Sequence, residues 1–127
     1  MKTQNVDRKE FLAALRRGGV KEKKRSKYNA TRVCIDGRWY MSKREAEVAM
    51  DFQLKLKAGI ITALEYQPVY VLIPKPNQIK YIGDFLVTYP DGRTEVIDVK
   101  GVETAVFKMK AKMFKHFYPH LPLVILE

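Results

Sequence analysis

Between residues 80 and 100 the chain alternates short apolar runs with isolated carboxylates. Tyr81-Ile82-Gly83-Asp84-Phe85-Leu86-Val87 and Val96-Ile97-Asp98-Val99 are rich in β-branched and aromatic side chains, and Pro90-Asp91-Gly92 between them carries the residues of a tight turn. The pattern predicts an antiparallel hairpin over residues 80–100. Folded with Tyr89 opposite Arg93, this hairpin sets Asp84 opposite Asp98, and a slip of one residue leaves them neighbours. Asp98 and Lys100 are two apart and so point to the same side of their strand.

Asp36-Gly37 predicts a second hairpin, from 31–35 and 38–41. Residues 42–58, closed by Gly59, and residues 103–118 carry apolar side chains at helical spacing. Residues 69–73 and 123–126 read as further strands, with a loop at Pro74-Lys75-Pro76-Asn77. Residues 7–17, with Phe11, Leu12 and Leu15 on one side, read as a short helix stopped by Gly18-Gly19, and residues 21–27 as a flexible basic linker. The order ββ-α-β-ββ-α-β predicts an α/β protein with a mixed β-sheet flanked by helices. The expected organisation is a basic N-terminal arm over 1–27 and one domain over 28–127, without internal repeats.

Composition sharpens this picture in two places. The chain has 127 residues, 46% of them hydrophobic, which suffices for a core. No apolar run approaches the ~20 residues of a membrane helix, and the polar start lacks the apolar segment of a signal peptide. Cys34 is the single cysteine, which excludes a disulfide framework and a cysteine zinc site. His116 and His120 read as surface residues with no third ligand nearby. A cytoplasmic protein, with no membrane partner, is expected. Net charge is +10, and residues 1–32 hold 11 Lys/Arg against 3 Asp/Glu, while residues 33–127 hold 13 against 11. A basic arm on a nearly neutral domain points to a polyanion, nucleic acid first, with a solubilising tail as the alternative. Lys24 and Arg25 in the linker are candidate DNA contacts.

The candidate chemistry lies on the central hairpin. Two carboxylates in an apolar setting repel unless a cation joins them, and a hard divalent ion suits oxygen ligands. The alternative is a solvated hairpin with an incidental Asp-Lys pair. Glu45 lies three residues after Ser42, as in a capping box. It also shares a helix face with Ala49, Phe52 and Leu56, where a carboxylate wants a partner. Glu47 and Asp51 read as surface acids. In the second helix Phe107, Ala111, Phe114 and Tyr118 form the face expected to pack on the sheet. Lys108, Lys112 and Lys115 form another face, either phosphate-binding or merely solvated, with Lys108 and Lys112 the leading candidates. Lys43 and Arg44 beside Glu45 are similar candidates. Trp39 and Tyr40 are expected to pack in the core rather than stack on bases.

Gly83-Asp84 and Asp98-Val99-Lys100 resemble the two halves of the PD-(D/E)XK nuclease motif. Lys27-Tyr28-Asn29-Ala30, Asp36-Gly37, Ser42-Lys43-Arg44-Glu45-Ala46, Leu64-Glu65-Tyr66-Gln67-Pro68, Tyr81-Ile82-Gly83-Asp84-Phe85, Val99-Lys100-Gly101-Val102 and Phe107-Lys108 are similar to successive landmarks of a small phage-borne family within that superfamily, long catalogued as a domain of unknown function. The likeness covers residues 27–126. It implies a restriction-endonuclease-like fold and a Mg²⁺ site, with Mn²⁺ as substitute, held by Asp84, Asp98, the Val99 carbonyl and Glu45. It implies that Lys100 orients or helps deprotonate the attacking water and steadies charge on the phosphate. Gln67 is either a polar residue bordering this site or a strand-edge residue without a role. Gly83 stands where the motif has Pro, and Asp98 where Glu is commoner. The implied activity is a metal-dependent DNA endonuclease selective for branched DNA, such as a Holliday junction or fork, in phage recombination or replication. Junction cutters often work as symmetric pairs, so a homodimer is an expectation of the same resemblance. A bacterial cell carrying the phage or prophage is the implied setting. A non-catalytic DNA-binding protein on a nuclease-like fold, and a nicking or end-processing nuclease, are the alternatives.

Overall fold

In a computed structural model, the structure describes residues 20–22 and 32–127. The helix expected over 7–17, the basic residues Lys24 and Arg25, and the Lys27-Tyr28-Asn29-Ala30 landmark lie outside the described residues. The chain divides into two compact units, residues 1–58 and residues 59–127.

In the first unit, β1 (Val20–Glu22), β2 (Val33–Ile35) and β3 (Arg38–Tyr40) form an antiparallel sheet in that order. The β2–β3 turn is the expected one: Asp36 and Gly37 both have positive φ (50° and 81°), as a two-residue hairpin loop with the right twist requires. Lys21 and Glu22 are not linker, because they pair with Cys34 and Val33. Helix α1 (Lys43–Lys57) starts at Ser42, whose hydroxyl accepts the Glu45 amide at 3.1 Å, and packs on β2 and β3. Its buried residues are Glu45, Ala46, Val48, Ala49 and Phe52. Leu56, expected on this face, is 39% exposed in the last turn. Trp39 is not core. It is 42% exposed, with the Arg32 guanidinium 5.4 Å from its ring, because it alternates with the buried Tyr40 on a three-residue strand.

In the second unit, a four-stranded sheet has the order β4 (Ala63–Tyr66), β7 (Phe85–Thr88), β8 (Thr94–Val99), β9 (Leu123–Leu126). Its first three strands are antiparallel, and β9 runs parallel to β8. A parallel neighbour needs a crossover, and helix α2 (Ala105–Phe117), capped by the Thr104 hydroxyl, provides it. A two-stranded ribbon, β5 (Val69–Ile73) with β6 (Ile79–Ile82), completes the unit. The expected core face of α2 is found: Phe107, Ala111 and Phe114 are buried with Leu72, Tyr81 and Val96, and Tyr118 packs against them. Phe114 stacks on Tyr118 and lies edge-on to Tyr70. The protein is thus an α/β fold with a mixed sheet and two helices among the described residues.

The strand expected to run unbroken from Tyr81 to Val87 is interrupted at Gly83-Asp84, and its partner at Gln67-Pro68. The register of β4 on β7 (Tyr66 opposite Phe85) continues unchanged into β5 on β6 (Val69 opposite Ile82). Across the break the Gln67 N–H donates to the Asp84 carbonyl (2.9 Å) and the Gly83 N–H to the Pro68 carbonyl (3.0 Å). One long antiparallel pair is therefore kinked where Gln67 takes a positive φ of 50° and Pro68 can donate no ladder bond.

Candidate active site

The kink sits at Asp84, beside the strand that carries Asp98. The β7–β8 register is the one the turn implies, with Phe85 opposite Ile97 and the Tyr89 N–H bonded to the Arg93 carbonyl at 2.8 Å. At Asp84 the ladder changes. The Asp84 N–H donates to the Ile97 carbonyl at 3.0 Å, so Asp84 and Phe85 both face Ile97, as in a β-bulge. The Asp84 carboxylate then accepts the Val99 N–H on Oδ2 at 2.7 Å. Asp84 thus grips β8 on either side of Asp98, through Ile97 and Val99.

Asp98 is 2% exposed. Its Oδ2 accepts the Tyr81 hydroxyl at 2.6 Å, and the Lys100 Nζ stands 3.8 Å from its Oδ1. The same Nζ lies 4.8 Å from the centre of the Phe107 ring, which orients the ammonium by its π-face. Burial, then the hydrogen bond to Asp98, then the charges of Asp98 and Asp84 push the Tyr81 phenol far above its ordinary pKa. It therefore stays a donor, and both carboxylates are close enough to act on it.

Gly83 explains itself. A Cβ there would lie 2.8 Å from Cγ1 of the buried, β-branched Val96, so the surrounding structure would have to shift. A proline would also lose the N–H bonded to Pro68. Glycine is the residue that fits beside this bulge.

Gln67 is the cross-strand neighbour of Asp84 through its amide, with an exposed side chain. Glu45 lies in the first unit, 8% exposed in the first turn of α1. Lys43 and Arg44 precede it and are exposed, with Arg44 paired to Glu47 at 3.3 Å. Lys108 and Lys112 are exposed on α2. A cavity of about 270 Å³ opens over Asp98 and Lys100 and is lined also by Lys80, Tyr81, Ile82, Thr104, Val106, Phe107 and Lys110. Lys108 and Lys112 are not among its lining residues. Lys80, Tyr81 and Lys110 thus join the candidate site through the fold and not through the Asp-Lys spacing. Helix phase carried the signal for Lys110, which lies three and four residues after Phe107 and Val106.

Among the described residues no three His, Cys, Asp or Glu side chains form a metal cluster. The donor set of the second unit still fits a hard ion. It offers two carboxylates and the Val99 carbonyl, each carboxylate held by a hydrogen-bond donor on Oδ2. Mg²⁺ is commonly held by one or two carboxylates plus water and substrate phosphate, not by an all-protein cage.

These features define an α/β protein with a partly buried carboxylate–lysine cluster on its central hairpin. Residues 25–126 match the family described as protein of unknown function (DUF1064), and the chain belongs to that family. No curated protein matches the chain, and no solved structure does. Among the described residues no helix is long and apolar enough to cross a membrane.

Proposed function

We propose that this protein is a metal-dependent DNA endonuclease of PD-(D/E)XK type. The observation that carries this reading is the pairing of Asp84 with Asp98: Asp84 brackets Asp98 through Ile97 and Val99, and Lys100 stands 3.8 Å from the Asp98 carboxylate. Asp84, Asp98 and the Val99 carbonyl would hold Mg²⁺ or Mn²⁺. When bound, such an ion supplies Lewis acidity toward the phosphate and the attacking water. Tyr81 keeps the Asp98 carboxylate aimed by donating to Oδ2. Lys100, held over Phe107, offers its ammonium to the phosphate and orients the water. The lysine-lined cavity beside this cluster supports a phosphate-bearing substrate. Branched DNA, a homodimer and a phage setting extend the same reading from the sequence resemblance.

The test incubates wild type, Asp98→Asn and Glu45→Gln with a labelled four-way junction, linear duplex and single strand, in Mg²⁺, Mn²⁺ or EDTA. Metal-dependent cutting by wild type, abolished in Asp98→Asn with binding retained, is the expected result. Preference for the junction would support the branched substrate, and equal cutting of linear duplex a nicking or end-processing role. Binding without cutting in every metal would overturn the enzymatic reading in favour of a DNA-binding protein.

A further inference from the structure

We propose that Lys80 and Lys110 form a second phosphate subsite, which seats a backbone phosphate of nucleic acid next to the one held at Asp98 and Lys100. This rests on the nuclease reading for its neighbour but not for its own chemistry. The two lysines come from different elements, β6 and α2, and meet only because the chain folds them onto one cavity. Neither makes an ion pair among the described residues, whereas Arg44, Lys55, Arg93 and Lys100 all do. With Lys100, three lysines line the cavity against the single aspartate Asp98. An excess of lysines over carboxylates along one cavity favours an anion, because low-dielectric walls focus their field on whatever enters.

Size and lining narrow the ligand. At about 270 Å³ the cavity far exceeds the ~30 Å³ share of one water, and it is small for a drug-sized molecule. The exposed side chains of Ile82 and Val106 give it an apolar lip beside the lysines. A charged wall with an apolar lip suits alternating phosphate and sugar. Lysines meet phosphates as point charges and read no base, so the subsite confers grip and register, not sequence preference.

The experiment measures binding of fluorescein-labelled duplex and four-way junction by anisotropy in EDTA, from 50 to 200 mM KCl. Each duplex phosphate contact contributes about 0.9 to the salt slope, which is roughly eightfold in affinity at 0.1 M salt. Lys80→Gln and Lys110→Gln are each expected to lower the slope by about 0.9 and weaken all sequences alike. Lys110→Arg should restore it, and Lys57→Gln, at the exposed end of α1, should not change it. Inorganic phosphate competition separates the sources. Phosphate binding that depends on Lys110, with an unchanged DNA slope, would overturn the backbone assignment. Cleavage in Mg²⁺ is scored separately. A lowered slope with no cutting by wild type would leave this subsite standing and sink the nuclease reading. Cutting by wild type, with Lys80→Gln and Lys110→Gln equal to it in slope and KM, would sink the subsite alone.

Discussion

Tyr81→Phe removes one oxygen atom and tests the centre of the site. The phenol donates to Asp98 at 2.6 Å in a place where Asp98 is almost wholly buried. A hydrogen bond to a charged group contributes about 1.5–3 kcal/mol net, and a buried carboxylate stripped of a donor keeps the full desolvation penalty. Lys100, at 3.8 Å from the other oxygen, offsets only part of it. The ring itself stays, so its contacts with Phe107 and Phe114, at 6.3 and 5.1 Å between centres, survive. The expected cost is therefore about 1.5–3 kcal/mol of the second unit's stability, with no packing contribution. Urea unfolding in EDTA measures it. Near-UV circular dichroism of the tyrosine cluster follows the second unit and Trp39 fluorescence the first, so coincidence of the two checks whether one transition is being read. In an Asp98→Asn background the bond is neutral on both sides and its loss should cost only about 0.5–1.5 kcal/mol, leaving a coupling of about 1 kcal/mol. Mn²⁺ affinity, by calorimetry, should fall with the loss of the donor that aims Asp98. A variant within about 0.5 kcal/mol of wild type, or one whose cost is undiminished in the Asp98→Asn background, would refute the assignment of Tyr81 as the group that holds this carboxylate.

Gly83→Ala should destabilise by about 1–3 kcal/mol, because its methyl meets Val96 Cγ1 at 2.8 Å; a neutral urea midpoint would show the bulge to be softer than this contact implies. Tyr70→Phe should be neutral or stabilising by up to about 1 kcal/mol, since the Tyr70 hydroxyl is buried with no hydrogen-bond partner among the described residues, and a clear loss would reveal one. Burial, the hydrogen bond to Glu95 and the Glu95 charge push the Tyr89 phenol up to about 12, against a smaller opposing pull from Arg93. Its folded pKa thus exceeds the ~10 of an unfolded tyrosine, so its contribution is full below pH 10 and is lost as pH rises through 12. Tyr89→Phe should make stability fall less steeply between pH 10 and 12 in guanidinium unfolding, and parallel curves for the two proteins would contradict this.

The parts of the site that could be read from the chain were those governed by local spacing. Pro90-Asp91-Gly92 sets the turn, the turn sets the register, and the register brings Asp84 to the strand of Asp98 whatever the rest of the molecule does. The features that local spacing does not carry depend on partners distant in sequence. Gly83-Asp84 looks like the middle of a strand until Gln67-Pro68 lies opposite it, although a proline flanked by strand-forming residues was a warning that the ladder breaks there. β1 was invisible for a similar reason: Val20-Lys21-Glu22 has two charges in three residues, and only its pairing with Val33 and Cys34 makes it a strand. Lys110 and Lys108 show the same division within one helix. Sequence distance from the hairpin favours Lys108, but a helix turns its residues by phase, and Lys110 shares the side of Val106 and Phe107 whereas Lys108 turns away from it. The cation nearest a site is therefore to be sought at the border of the buried stripe, where a long side chain can lay its stem on apolar surface and extend its charge into the opening. Lys80 reaches the cavity from a strand instead: next to Tyr81 on the ribbon, it lies among the residues that line the opening. That a strand and a helix each bring a lysine to one cavity is the strongest reason to assign those lysines a common ligand.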